Sequence, residues 1–195
     1  LILDRTVYFV RHGETDWNAE ARLQGQRDIP LNAFGRVQAE EVARKLRKIA
    51  PEVETLPFIA SPLGRTRETM EILRRGLGLP AEGYTAVSRW AELSFGEWEG
   101  STWKEVRRQH ADLAARRERD KWGYRPPGGE SYADLTARIA LAADDLPASC
   151  VLVSHGGVAR ALLHLLAGVP KEKAPLVDIW QGRVLVFAAN GYRWH

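Results

Sequence analysis

The chain of 195 residues contains one cysteine and one methionine. No internal disulfide can form, and Cys150, set in the apolar run Cys150–Val151–Leu152–Val153, reads as a small buried hydrophobe. No apolar stretch approaches the roughly 18 residues that a membrane span requires. Leu1 to Arg5 lack the basic start, apolar middle and small-residue cleavage site of a secretory signal. A cytoplasmic protein without a membrane partner is the expectation, since lone thiols suit a reducing compartment. Repeats, low-complexity tracts and linkers are also missing, so residues 1–195 are read as a single domain large enough to bury a core without staples. Charge of one sign is not concentrated anywhere. The net charge of +3 comes from 28 basic and 25 acidic residues, mixed as in Arg116–Arg117–Glu118–Arg119–Asp120–Lys121. That mixture lacks the stripe of a nucleic-acid footprint, and a mildly positive chain suits a small anionic ligand.

What is present is a strand–turn–helix pattern used three times. Thr6–Val7–Tyr8–Phe9–Val10 is β-branched and aromatic and ends at Arg11–His12–Gly13. After Asn32, a plausible N-cap, Ala39, Val42, Ala43, Leu46 and Ile49 recur at helical spacing until Pro51. Phe58–Ile59–Ala60 predicts a second strand, turning at Ser61–Pro62–Leu63–Gly64 into a helix from Arg65 to Arg75. Cys150 to Ser154 predicts a third, turning at His155–Gly156–Gly157 into an apolar helix that stops at Gly168. The alternation predicts an α/β fold with a mostly parallel sheet covered on both faces. Ser131 and Asp134 form a capping pair before a stripe of Leu135, Ile139, Ala142 and Leu146. Leu176 to His195 reads as two closing strands with turns at Gln181–Gly182 and Asn190–Gly191. Residues 101–130 stand apart as a charged helical insertion ending in Pro126–Pro127–Gly128–Gly129, either a solvated surface helix or a lid.

Ligands of open α/β sheets bind beyond the carboxyl ends of the strands, which here carry Arg11–His12, Arg65 and His155. Guanidinium groups match tetrahedral oxyanions, so Arg11 and Arg65 read as phosphate clamps. Cationic neighbours disfavour protonation of an imidazole, which would leave His12 neutral and nucleophilic. His155 is placed to stabilise charge on a transferring group, and Glu92 is the expected proton donor, a bound phosphate favouring its protonated form. Glu14, Glu97 and Glu99 compete for that role. A zinc site on His12 and His155 is disfavoured because flanking arginines would repel a dication and no Cys or spaced carboxylate completes the set. Most of the seven tryptophans are expected to be packing groups or pocket walls.

Arg11–His12–Gly13–Glu14–Thr15, Ser61–Pro62–Leu63–Gly64–Arg65 and Ser154–His155–Gly156 resemble the histidine phosphatase superfamily, phosphoglycerate mutase-like branch. Further matching pieces in family order are Trp17–Asn18, Gln24–Gly25–Gln26, Glu92, Phe95–Gly96 with Trp98–Glu99–Gly100, and Pro127–Gly128–Gly129–Glu130–Ser131. The resemblance implies a three-layer fold with a mixed, mostly parallel sheet between helices and a small helical cap at residues 101–130. It also implies phosphorylation of His12, a phosphate pocket of Arg11, Arg65 and His155 with a contact from Asn18, proton donation by Glu92, and substrate contacts near Gln24 and Gly25. Neither metal nor cofactor is implied.

The expected activity is hydrolysis of a small phosphate monoester through a phosphohistidine, with phosphoglycerate mutase as the alternative. Leu93–Ser94 stands where the mutases carry polar residues after the glutamate, although Arg116–Arg117 offer cations for a carboxylated substrate. A noncatalytic phospho-ligand-binding module is the more distant alternative. Arg67 and Arg160 are read as surface or supporting groups, and His110, His164 and His195 receive no role.

Overall fold

The structure, a computed structural model, describes residues 5–189 and 191–195. Six strands form one sheet: β1 (Thr6–Arg11), β2 (Phe58–Ala60), β3 (Thr85–Ala86), β4 (Ser149–Ser154), β5 (Val184–Ala188) and β6 (Gly191–Trp194), in the spatial order β3-β2-β4-β1-β5-β6. β1, β2, β3 and β4 run parallel, while β5 and β6 pair antiparallel. Two closing strands are present as expected, but β5 begins only at Val184, residues 177–183 forming no strand, and Gly191 opens β6; Asn190, in the turn expected between them, is outside the described residues.

Side chains alternate across the sheet because successive strand residues face opposite ways. Val7, Phe9, Cys150, Leu152, Leu185 and Phe187 face one core, shared with α6 (Tyr132–Asp144) and α7 (Gly156–Ala167). Val10, Val151, Val153 and Val184 face the other, shared with α2 (Ala33–Ile49) and α3 (Gly64–Gly76). Both faces are thus covered, which explains why β4 reads as a continuous apolar run. Asn32 caps α2 by accepting from Gly35 N–H, and Ser131 with Asp134 forms the capping box of α6. Gly168, at φ 66°, ends α7 in the left-handed conformation.

Besides short 3-10 turns, two elements of the described residues were not foreseen. One is the edge strand β3, too short to carry a period; the other is α1 (Asp16–Ala19), a single turn capped by Thr15 inside the loop after β1. The insertion forms α4 (Trp103–Gln109) and α5 (Ala111–Arg119) around a small cluster of Leu23, Trp98, Val106 and Ala114. No helix among the described residues is long and apolar enough to cross a membrane.

The loop after β1 lies directly against α2. A Cβ on Gly13 would strike the carbonyl of Gly35, and a Cβ on Gly35 would strike the backbone of Glu14. Asn32 N–H donates to Glu14 O at 2.9 Å and Glu14 N–H to Gln38 Oε1 at 2.9 Å, so the approach is bonded as well as close. Backbone cannot rotate away as a side chain can. Gly35→Ala should therefore cost about 1–3 kcal/mol of stability, read from the urea midpoint; a loss within about 0.5 kcal/mol would show that the loop is not clamped there.

Candidate active site

Beyond the carboxyl ends of β1, β2 and β4 lies a pocket of about 150 Å³. The β1–β4 register pairs Arg11 with Ser154, so the next residues, His12 and His155, leave the sheet side by side. Their ring centroids are 5.2 Å apart. His12 is 2% exposed, and its backbone N–H donates to Ser154 O at 2.9 Å.

The partners of the His12 ring define its proton. Nδ1 lies 2.7 Å from Gly13 O, which only accepts; Nε2 lies 3.3 Å from Arg65 Nε, which only donates. The proton is therefore on Nδ1, and Nε2 carries the lone pair, which accepts from Arg65 Nε–H. Burial first, then the charges of Arg65 and Arg11, push the ring's pKa well below the ordinary histidine range, against a weaker pull from the Gly13 bond.

His155 is fully buried, with Nε2 2.7 Å from Ser61 Oγ and Nδ1 without a partner. Burial and then Arg65, His12, Arg11 and Arg138 depress its pKa in the same direction. The ring is not among the residues that line the pocket; Gly156 and Gly157, which begin α7, line it instead.

Arg11 donates from Nη1 to Ile179 O at 2.7 Å, while its buried Nε lacks a partner. Burial, which outweighs the attraction of Glu92, lowers its pKa to about 10, and the group stays charged at neutral pH. Arg65 is arranged differently from the expected bidentate clamp. Its Nη1 and Nη2 donate to Arg27 O at 2.6 Å and Gly25 O at 2.7 Å, leaving Nε on His12. The loop after α1 folds over the guanidinium, which satisfies carbonyls that have no sheet or helix partner.

Asn18 reaches the pocket from α1. Its Oδ1 accepts from Thr15 N–H at 3.2 Å and Gln181 Nε2 at 3.0 Å, which leaves its Nδ2 as a donor. Gln181 Nε2 also donates to His12 O at 3.0 Å, so the residue read only as a turn former braces two site residues. Gln24 is buried on the pocket wall with Oε1 unpartnered. Gly25 lines the same wall at φ 53°, and a Cβ there would strike the carboxylate of Glu99.

Glu92 lines the pocket from the loop between two 3-10 turns, Ser88–Trp90 and Gly96–Trp98. Its Oε1 accepts from Leu93 N–H at 2.8 Å and its Oε2 from Gly157 N–H at 3.1 Å. The second bond places the carboxylate at the positive end of α7. Gly157 permits it, because a Cβ there would meet Glu92 Oε1. The competing acids are committed elsewhere: Glu14 accepts from Asn32, and Glu99 from Gln26, Ser94 and Phe95, while Glu97 is exposed.

Sequence reasoning read Arg160 as a surface or supporting group, whereas the structure puts it on the pocket wall with Arg22 and Tyr132. The available signal was its position four residues after Gly156, on the same side of α7. Its Nε donates to Val177 O at 2.9 Å. Arg67 lies outside the pocket, donating to Tyr84 Oη at 3.3 Å.

Over residues 7–195 the chain matches the description "Histidine phosphatase superfamily (branch 1)". It belongs to that superfamily. Among curated relatives, "Probable phosphoglycerate mutase GpmB" of Shigella dysenteriae is 38% identical over 169 residues, covering 84% of this chain and 75% of the relative. The GpmB of Escherichia coli K12 is 38% identical over 178 residues with the same coverage. Among solved structures, Bacillus stearothermophilus YhfR has a TM-score of 0.80 at 28% identity, covering 97% of this chain and 94% of that one. Thermus thermophilus TTHB049 has a TM-score of 0.70 at 31% identity, covering 93% and 92%. As a histidine phosphatase superfamily member, the chain is an enzyme of phosphoryl transfer, of the phosphatase or the mutase kind.

The two depressed histidines make stability depend on pH with a definite sign. The folded state excludes a proton that the unfolded chain binds below pH 6.5, so this contribution is complete above 6.5 and is lost as pH falls below it. Each ring should account for about 1 kcal/mol of loss between pH 6.5 and 5.5. Urea titrations of wild type and of a His12→Gln/His155→Gln variant should show a steeper acid loss in the wild type; parallel pH dependences would contradict neutral buried rings.

Proposed function

We propose that the chain is a phosphatase that hydrolyses small phosphate monoesters through a phosphohistidine on His12. The observation that carries this reading is the His12 ring itself, whose partners put the proton on Nδ1 and the lone pair on Nε2, beside Arg65 Nε in a pocket lined by cations. In the first step the Nε2 lone pair, released by Arg65, forms the N–P bond while the ester P–O bond breaks, and Glu92, which holds a proton in the ester complex, passes it to the leaving oxygen. The Nδ1–H bond to Gly13 O steadies the positive charge that grows on the ring. In the second step water attacks phosphorus, its proton goes to the Glu92 carboxylate, and the N–P bond breaks to release phosphate and neutral His12.

Arg11 Nε and Asn18 Nδ2 are the donors proposed to hold the phosphoryl oxygens, with Arg65 beside the nucleophile and His155 backing it. Burial of Arg11 Nε without a partner supports this, because an anion supplies the missing acceptor. Gln24, and Gly25 through its backbone, are proposed to face the rest of the ester. Leu93, buried on the wall, favours hydrolysis of esters without a charged group at that point.

One observation favours the mutase reading. Beside the pocket runs a cleft lined by Trp103, Arg107, Arg117, Glu118 and Lys121, in which Glu118 pairs with Arg117 and Lys121 and the Arg117 guanidinium lies 4.0 Å over the Trp103 ring. Such cations suit a leaving group with a second negative charge.

Two measurements test the proposal. Wild type should release phosphate from p-nitrophenyl phosphate in excess EDTA, and His12→Ala should lose at least about 10³-fold in kcat/KM. With 3-phosphoglycerate and its bisphosphate primer, phosphate release should exceed isomerisation; the opposite order would establish the mutase.

A further inference from the structure

We infer that Glu130 and Arg138 form a positioning pair that aims the Glu92 carboxyl at the leaving oxygen. The inference rests on the reading of Glu92 as proton donor and concerns residues that contribute nothing to the pocket wall. The Glu92 carboxylate is held by the Leu93 and Gly157 N–H groups, and its loop is tied by Ser154 Oγ to Trp90 O at 2.8 Å and by Gln26 Nε2 to Glu92 O at 3.0 Å. Its aim depends on these bonds and on what else fixes the backbone from 89 to 96.

The Arg138 side chain does this from α6. Its Nη1 donates to Arg89 O at 2.7 Å and Ala91 O at 2.9 Å, and its Nη2 to Glu92 O at 3.4 Å. Glu130, just before the Ser131 cap, holds the guanidinium with both oxygens: Nε to Oε1 at 3.2 Å and Nη2 to Oε2 at 2.9 Å. The same Oε2 accepts from Ser94 N–H at 3.0 Å, and Glu130 N–H donates to Ser94 O at 2.9 Å. One ion pair thereby grips the loop on both sides of Glu92, three carbonyls on the cation and one N–H on the anion. The preceding glycines let it close, since a Cβ on Gly129 would meet Ser94 O and one on Gly96 would strike Pro127 O.

A planar fork with a bidentate partner fixes direction as well as distance, which a lone ammonium does not. Both side chains are about three-quarters covered, with relative exposures of 22% and 25%. Displacement of a proton donor by about 1 Å can cost on the order of 100-fold, and the loss is confined to steps that need the proton.

Leaving-group dependence separates positioning from general stabilisation. kcat/KM reports transfer to His12 alone, before phosphohistidine hydrolysis. For Glu130→Gln, kcat/KM on an alkyl phosphate should fall about 30-fold or more, while p-nitrophenyl phosphate, whose leaving group departs without a proton, should stay within about threefold. Inhibition by inorganic phosphate should be unchanged, and adding Glu130→Gln to Glu92→Gln should produce little further loss. Arg138→Lys should shift the same quantities in the same direction and serves if Glu130→Gln melts early. Equal losses on both esters, or losses additive with Glu92→Gln, would overturn the inference while leaving Glu92 in place. Absence of leaving-group dependence in Glu92→Gln itself would remove the proton-donor reading and this inference with it.

Discussion

A histidine attacks phosphorus only with a lone pair in the right place, and the tautomer of His12 is the constraint on which the rest of the molecule depends. Gly13 O accepts from Nδ1–H and Arg65 Nε–H donates to Nε2, so an acceptor on one side and a donor on the other leave a single arrangement. Each partner is itself held. Gly13 is bonded through its N–H to Thr69 Oγ1 at 3.0 Å on α3 and pressed against Gly35 on α2; Arg65 is tied to the carbonyls of Gly25 and Arg27. The parallel pairing of β1 with β4 sets His155 beside the ring.

The same arrangement explains the charge balance. Arg11, Arg22, Arg65 and Arg160 line a small pocket in which Glu92 is the lining carboxylate. Burial lowers the pKa of Arg11 and Arg65, against the opposing attraction of Glu92. Glu92 tolerates the pocket because two backbone N–H groups already hold it, one at the start of α7. Cations and carboxylate are thus kept apart by separate tethers and do not collapse into an ion pair.

The helices of the insertion stay attached to the body through aromatic packing. Trp98 is buried against Trp103, at 6.0 Å, and Tyr124, at 5.8 Å, joining the Glu92 loop to α4 and to the segment that leads into α6. Five hydrogen bonds from Arg138 and Glu130 reinforce the same junction from below.

Much of this was legible in the residues. β1, β4 and α7 follow from apolar runs and glycine stops, and the caps at Asn32 and Ser131 from local hydrogen-bonding chemistry, because these features involve neighbours within a few positions. Arg11, His12, Arg65, Glu92 and His155 were found from strand ends and from family motifs, and the structure gathers them at one place. The commitment of Arg65 to loop carbonyls, the presence of Arg160 on the wall, the double role of Gln181 and the Glu130–Arg138 grip were not foreseen. All four join segments far apart in the chain, where contact depends on register and on glycine-permitted approach, quantities without a local signature. The sequence by itself determined which chemistry the chain carries and which segments become strands and helices; only the tertiary structure decided where the His12 proton sits and what holds Glu92, since those are settled by hydrogen-bond partners that meet through folding alone.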